Sequence, residues 1–114
     1  MRPYSVGRNL VAGTKTTLFV VPNKQIAKWN LLYATNLSAS AKNFSAWWYD
    51  KSANTEIAIL TDYPLTAKGY VKFDNSYVTL EEGDEIRVLS ETGSTAAVII
   101  TVEVENAPAV AYIY

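Results

Sequence analysis

Short runs of apolar and β-branched residues alternate with polar turns along the whole chain, and none has the spacing of a helix. In Thr95–Glu105, Ala96, Val98, Ile100, Val102 and Val104 share one face, and Glu103 and Glu105 mark the other face as solvent-exposed, which is the period of a strand with one buried side. Residues 26–37 show the same period. The residues predicted to share the inner face of that strand are Ala27, Trp29, Leu31, Tyr33 and Leu37.

The stretch from Tyr77 to Ser90 carries a strong turn signal. Two β-forming runs, Tyr77–Leu80 and Ile86–Leu89, flank an acidic link that contains Gly83-Asp84, and this pattern predicts a hairpin. Counted along the chain, the pattern predicts eight or nine short strands. We therefore expect an all-β protein, a single antiparallel β-sandwich with Greek-key or jelly-roll-like topology.

The two ends of the chain lack this regular pattern. The 114 residues suffice for one domain, 1–114, and we expect residues 1–15 to form an N-terminal arm because Pro3, Gly7 and Gly13 interrupt them. Residues 106–114 are predicted to be an apolar C-terminal tail, in which Pro108 stops the preceding strand. Such an apolar tail requires a surface on which to dock.

Composition removes most common chemistry. The chain has no Cys and no His, which excludes disulfides, thiol nucleophiles, Cys or His zinc sites and Ser-His-Asp triads. It has no glycine-rich phosphate loop and no apolar run near the length of a membrane span. We expect a soluble protein that is not an enzyme and has no cofactor, no metal and no small-molecule substrate.

The charge is small overall but unevenly distributed. The net charge of -1 argues against a nucleic-acid partner. Residues 1–49 hold six basic residues and no acid, whereas residues 50–114 hold eleven acids and four basic residues. Either the two halves neutralise each other within one folded unit, or a basic arm meets the acidic surface of a neighbouring molecule.

Four segments, taken in order, resemble a known family. They are T-L-F-V-V-P at 17–22, A-T-N-L-S-A-S-A at 34–41, D-Y-P-L-T-A-K-G at 62–69 and V-T-L-E-E-G-D-E-I-R-V at 78–88. Together they resemble small β-sandwich structural proteins of tailed bacteriophages, which occur as capsid decoration (cement) proteins and as neck or tail components. The resemblance spans about residues 16–104 and leaves both ends of the chain outside it.

The resemblance implies a virion structural protein, most simply a decoration protein on the outer surface of the phage capsid, made in the bacterial host cytoplasm. Its partners would be the major capsid protein and copies of itself. A trimer at three-fold points of the lattice is what the family suggests, and a neck or tail position is the alternative. The oligomeric state and the host stay open.

Candidate contact residues lie in the two ends and in one aromatic strand. The residues predicted to form a protein interface are Arg2, Tyr4, Arg8, Trp47, Trp48, Tyr112, Ile113 and Tyr114. The alternative for the ends is a disordered arm and a last strand that completes the protomer's own sheet.

The run Trp47-Trp48-Tyr49 places large side chains on both faces of one strand. Which of the two tryptophans belongs to the core stays open at this stage, and a carbohydrate-binding face is a further alternative. The acidic residues Glu81, Glu82, Asp84 and Glu85 could supply oxygens to calcium, but their spacing does not match a calcium loop. We interpret them as a solvated turn.

Overall fold

Nine β-strands make up the protein in the computed structural model, which describes residues 2–74 and 78–107. The strands are β1 (Arg2–Asn9), β2 (Thr16–Val20), β3 (Gln25–Asn36), β4 (Lys42–Asp50), β5 (Thr55–Leu65), β6 (Tyr70–Phe73), β7 (Val78–Leu80), β8 (Glu85–Ser90) and β9 (Ala96–Asn106). Over these two ranges no helix is long and apolar enough to cross a membrane.

The strands form two antiparallel sheets that face each other. One sheet has the order β1-β9-β3-β6, with the short β7 also paired to β3, and the other has the order β2-β8-β4-β5. If β6 and β7 are counted as one broken edge strand, this is the eight-strand order of a jelly roll. The expected β-sandwich is therefore confirmed, and its topology is the jelly roll.

The core fills the space between the two sheets. The largest side chains that are fully buried come from both sheets: Trp29, Leu32, Phe44, Leu80, Ile86 and Ile100. Burying each such side chain contributes about 1.5–3 kcal/mol relative to leaving it in water. A sandwich of this size therefore needs neither a disulfide nor a metal to hold its two layers together.

Strand β9 matches the sequence pattern closely, whereas β3 changes phase halfway along. In β9 the alternating residues Ala96, Val98, Ile100 and Val102 are buried. In β3 the pairing with β9 shifts between Trp29 and Leu31, so the buried face passes from Ala27 and Trp29 to Leu32, Ala34 and Asn36. The prediction that Leu31, Tyr33 and Leu37 point inward is wrong.

A β-bulge is the physical cause of this phase change. One extra residue, Asn30, sits between the two registers, and every residue after it turns to the other face. The indole Nε1 of Trp29 donates a hydrogen bond to the carbonyl oxygen of Leu31 at 3.0 Å. This bond gives the backbone at the bulge a partner inside the protomer.

The start of the chain differs from the predicted arm. Residues Arg2–Asn9 form β1, which pairs with β9 over eight consecutive residue pairs, from Arg2 opposite Val104 to Asn9 opposite Ala97. Val6 packs against the core. The interrupting Pro3 and Gly7 are tolerated because β1 lies at the edge of its sheet, where a missing donor or side chain costs little.

The predicted hairpin over residues 77–90 is also wrong in its pairing. Strand β7 belongs to the sheet of β3, whereas β8 lies between β2 and β4 in the opposite sheet. The link between them is a turn, as predicted: the Asp84 N–H donates to the carbonyl oxygen of Glu81, and Gly83 has a φ of 83°. The turn carries the chain across the sandwich instead of reversing it within one sheet.

Asp84 fixes this crossing turn. It is 2% exposed, and its carboxylate accepts hydrogen bonds from the Trp48 indole at 3.1 Å and from the Glu81 and Lys51 backbone N–H groups at 3.0 Å each. A buried carboxylate is stable when several donors surround it. Asp84 thus joins the β7–β8 turn to the end of β4.

We expect Asp84→Asn to destabilise the sandwich by about 2 kcal/mol, because one oxygen becomes an NH₂ group that faces N–H donors. Urea unfolding followed by tryptophan fluorescence measures this change. The control is Glu81→Gln, an exposed side chain in the same turn, for which we expect a change within about 0.5 kcal/mol. Equal stabilities for the two variants would contradict the structural role of Asp84.

Candidate interface between protein subunits

An open groove lies at one corner of the sandwich, where the first residues of β1 approach the last residues of β2. Its volume is about 800 Å³. Its lining comes from β1, from β2 and the loop after it, from the start of β3 and from the end of β9: Tyr4, Leu18, Phe19, Val20, Pro22, Gln25, Val104, Glu105 and Asn106. Six of the nine lining side chains are apolar or aromatic, and the three polar ones lie in β3 and β9.

Two apolar side chains of this groove remain half exposed. Tyr4 and Val20 are each 49% exposed, and the Tyr4 ring meets the Phe19 ring edge-on with centroids 5.7 Å apart. Leu18 and Phe19 are both buried although they are neighbours, because the register of β2 shifts between Thr17 and Phe19. An apolar patch that stays exposed to solvent in this way is a feature of contact surfaces.

The groove borders the most regular edge strand of the sandwich. Within the described ranges β1 pairs with β9 and with no other strand, and its register has no shift. The other edges are less regular: β6 and β7 are four and three residues long, β2 contains a register shift, and β5 contains two, together with Pro64 and a positive φ at Asp62. Short or bulged edges resist pairing with a further strand, and β1 lacks those two protections.

Of the predicted interface residues, the structure brings one into this groove. Tyr4 lines it, and Arg8 lies farther along β1, opposite Val98. Arg2 begins β1 opposite Val104, a residue of the groove wall. Tyr112, Ile113 and Tyr114 lie outside the described residues, so their contact role stays a prediction.

The structure separates the two tryptophans of β4. The Trp48 side chain packs against the core and bonds to Asp84, whereas Trp47 lies on the outer face of the β2-β8-β4-β5 sheet, opposite Arg87 and Ala58. On that outer face the Lys15 Nζ sits 4.1 Å from the centroid of the Trp47 ring, and the Arg87 guanidinium sits 4.0 Å from that of Tyr49. The two cations each cover one ring face, which leaves less aromatic surface for stacking on a sugar.

The same outer face carries a network of charges that the sequence did not point to. Glu56 accepts from Lys15 at 2.7 Å and from Arg87 at 2.9 Å, and Arg87 also donates to Glu85 at 2.9 Å. The hydrogen bond from Lys15 lowers the pKa of Glu56, against a smaller opposing effect of burial, and Arg87 adds to the lowering. The hydrogen bond to Glu56 raises the pKa of Arg87.

These pairs join the two oppositely charged halves of the chain. Lys15 and Lys42 of the basic half pair with Glu56 and Glu91 of the acidic half, at 2.7 Å and 3.9 Å. At least part of the charge asymmetry is therefore neutralised within one folded unit, as one of the two alternatives predicted.

The acids of the β7–β8 link point to different partners. Asp84 is turned inward, Glu82 accepts from the Lys24 backbone N–H, and Glu85 accepts from Arg87 and from the Thr17 hydroxyl. Over residues 2–74 and 78–107, no group of three or more acidic side chains is placed to hold a metal ion. A calcium site needs several carboxylates directed at one point. In this link each carboxylate is instead directed at a different partner.

A second exposed apolar surface lies on the outer face of the other sheet. Tyr33 and Tyr70 stack with centroids 5.3 Å apart and planes 7° apart, and Ile99 lies opposite Tyr33 and is 46% exposed. Sequence reasoning missed this patch because it placed Tyr33 on the inner face. The alternation of apolar and polar residues along β3 gave no clear sign of the bulge.

Comparison with known proteins shows a likeness of fold. No protein-family model matches the chain, and no curated protein matches it in sequence. A chain from Bacillus endospore appendages, which are described as disulfide-linked pili, aligns with a TM-score of 0.50 and 11% identity over 93% of this chain and 86% of that one. A chain from infectious bursal disease virus, Gx strain, aligns with a TM-score of 0.50 and 13% identity over 88% of this chain. The aligned part spans only 30% of the virus chain.

We expect Glu56→Gln to lower the stability by about 1 kcal/mol at neutral pH, since it weakens both charged hydrogen bonds. The folded-state pKa of Glu56 lies below its ordinary value of 4.5, so the carboxylate stabilises the fold above that value and loses this contribution as the pH falls through the folded pKa. Urea unfolding of both proteins at a series of pH values measures the difference. A stability gap that stays constant from pH 7 to pH 2 would contradict this account.

Proposed function

We propose that the protein is a non-enzymatic structural subunit of a virion, and specifically a decoration protein that binds the outer surface of a tailed-phage capsid. The observation that carries the proposal is the open groove, in which Tyr4 and Val20 stay half exposed beside a regular edge strand. Such a surface suits a chain that reaches its final burial only in contact with another protein.

The remainder of the molecule suits a rigid support. The jelly roll packs its core between two sheets, and the charges of the Glu56 network pair with one another on the outer face. Each large apolar side chain that an assembly covers fully adds about 1.5–3 kcal/mol. Repeated over many copies, such contacts would reinforce a shell against internal pressure.

Two kinds of comparison support the structural part of the proposal. The chain shares its fold with a chain from pili and with a chain from a virus. The four segments that resemble phage β-sandwich proteins supply the tailed-phage part. A neck or tail position is the alternative within the same class. The copy number per particle separates the two, because decoration of a whole capsid surface requires many more copies than a single neck or tail ring.

Carbohydrate binding is the alternative of another class. It would use Trp47, but one face of that ring is covered by Lys15. We expect the isolated protein to show no binding on a glycan array, and glycan binding that is lost on Trp47→Ala would favour this alternative.

The proposal predicts that particles stripped of the protein rebind it from solution, and that Val20→Asp abolishes rebinding by placing a charge in the groove. The matched control is Ile57→Asp. Ile57 is 42% exposed on the opposite edge strand β5, so the same charge there leaves binding intact. Cosedimentation with the particles measures both, and circular dichroism checks that both variants fold.

Failure of the unaltered protein to bind particles would overturn the proposed function. Equal binding of Val20→Asp and Ile57→Asp would overturn the assignment of the groove as the contact surface.

A further inference from the structure

We propose that the groove receives residues 109–114 of a second copy of the chain, which pair as a strand with the free edge of β1 and insert alternate side chains between β1 and β2. This inference rests on the proposed function, because it names the partner of the same groove.

The sequence of the segment suits a strand that enters an apolar groove. Residues 109–114 read A-V-A-Y-I-Y, with no charge and no proline. In an extended strand Val110, Tyr112 and Tyr114 share one face, and the two small residues Ala109 and Ala111 lie on the other with Ile113. The face with the larger side chains is the one that matches a groove lined by Leu18, Phe19 and Val20.

The acceptor offers backbone partners as well as apolar surface. Tyr4, Ser5, Val6 and Gly7 form a stretch of β1 without proline or charge, and β9 occupies one side of it. Across the part of the chain that the structure describes, no strand occupies the other side. Addition of a strand to such an edge supplies main-chain hydrogen bonds, and the adjacent groove selects the side chains.

The exit of the chain from β9 favours a neighbouring copy over the protomer's own groove. The Ala107 N–H donates to the Lys24 carbonyl oxygen at 2.8 Å, which continues the pairing of β9 with β3, on the side away from β1. Ala107 precedes Pro108 and is therefore biased toward extended backbone. At Ala107, the last described residue, the chain still follows the direction of β9, and residues 108–114 come after it.

Chain length supports the same choice. To pair with its own β1, the segment would have to reverse its direction and also pass beyond β1. A strand on the far side of β1 lies two strand spacings, about 10 Å, from β9. From Asn106 to Ala109 there are three Cα–Cα steps of 3.8 Å, about 11 Å in all, which leaves almost no length for the reversal. Extended outward, residues 108–114 span about 23 Å, which is enough to reach another molecule.

Cross-linking tests this inference directly, because the chain has no native Cys. One full-length copy carries Val20→Cys, and a second copy with a distinguishable tag carries Tyr112→Cys. The two are mixed at high concentration and treated with a short bismaleimide. We expect a cross-linked heterodimer on a denaturing gel.

Two matched controls sharpen the result. Val11→Cys replaces Val20→Cys: Val11 is 68% exposed but does not line the groove, and it should cross-link several-fold less. Ala111→Cys replaces Tyr112→Cys, since it places the thiol on the opposite face of the proposed strand, and it should also cross-link several-fold less. Heterodimer in equal amounts from all pairs would overturn the inference.

A single chain that carries both Val20→Cys and Tyr112→Cys separates the two possible occupants. A cross-link within one chain, with no heterodimer in the mixture, would show that each tail covers its own groove and would overturn the inference. If no cross-link forms but Val20→Asp still loses particle binding, the inference fails and the proposed function stands. If the heterodimer forms but the unaltered protein binds no particles, the proposed function fails and the tail contact stands.

Discussion

The pairing of β3 with β9 is the constraint on which the rest of the sandwich depends. These strands, of 12 and 11 residues, pair in eleven positions, and every other strand of their sheet attaches to one of them. The bulge between Trp29 and Leu31 divides this pairing into two registers. It decides which β3 side chains enter the core and leaves Tyr33 on the outer face. Because β9 extends past its last pair with β1, Glu105 and Asn106 reach the groove wall.

The alternation of apolar and polar residues predicts the buried face of a strand well when the strand is regular and its other face is exposed to solvent. Strand β9 satisfies both conditions, and its buried residues match the pattern one by one. Strand β3 does not, because a single inserted residue reverses the faces without changing the local composition. The supposed hairpin over 77–90 shows a similar limit. A turn signal fixes where the chain bends, but which strands then pair depends on contacts distant in sequence, here with β3 and with β2 and β4.

The sequence predicted only part of the candidate interface, because the rest depends on contacts between residues that are distant in sequence. Tyr4 could be predicted as a contact residue because it is an aromatic residue in a segment without a regular pattern. That segment is an edge strand, and its register with β9 was not visible in the sequence. The groove itself combines β1, β2 and the loop after it, the start of β3 and the end of β9, so no single stretch of sequence predicts it. Trp47 and Trp48 could be proposed as a pair, but only the packing of Trp48 against the core and its bond to Asp84 show which of them faces outward.

We propose that the open corner between β1 and β2 is where the protein meets its neighbours. Hydrogen–deuterium exchange of the free protein and of the particle-bound protein tests it most directly, because edge amides that gain a partner exchange more slowly. We expect slower exchange in Tyr4–Gly7 and in residues 18–20 on binding, with unchanged exchange in the edge strand β5. Slower exchange in β5 with no change in β1 would contradict it.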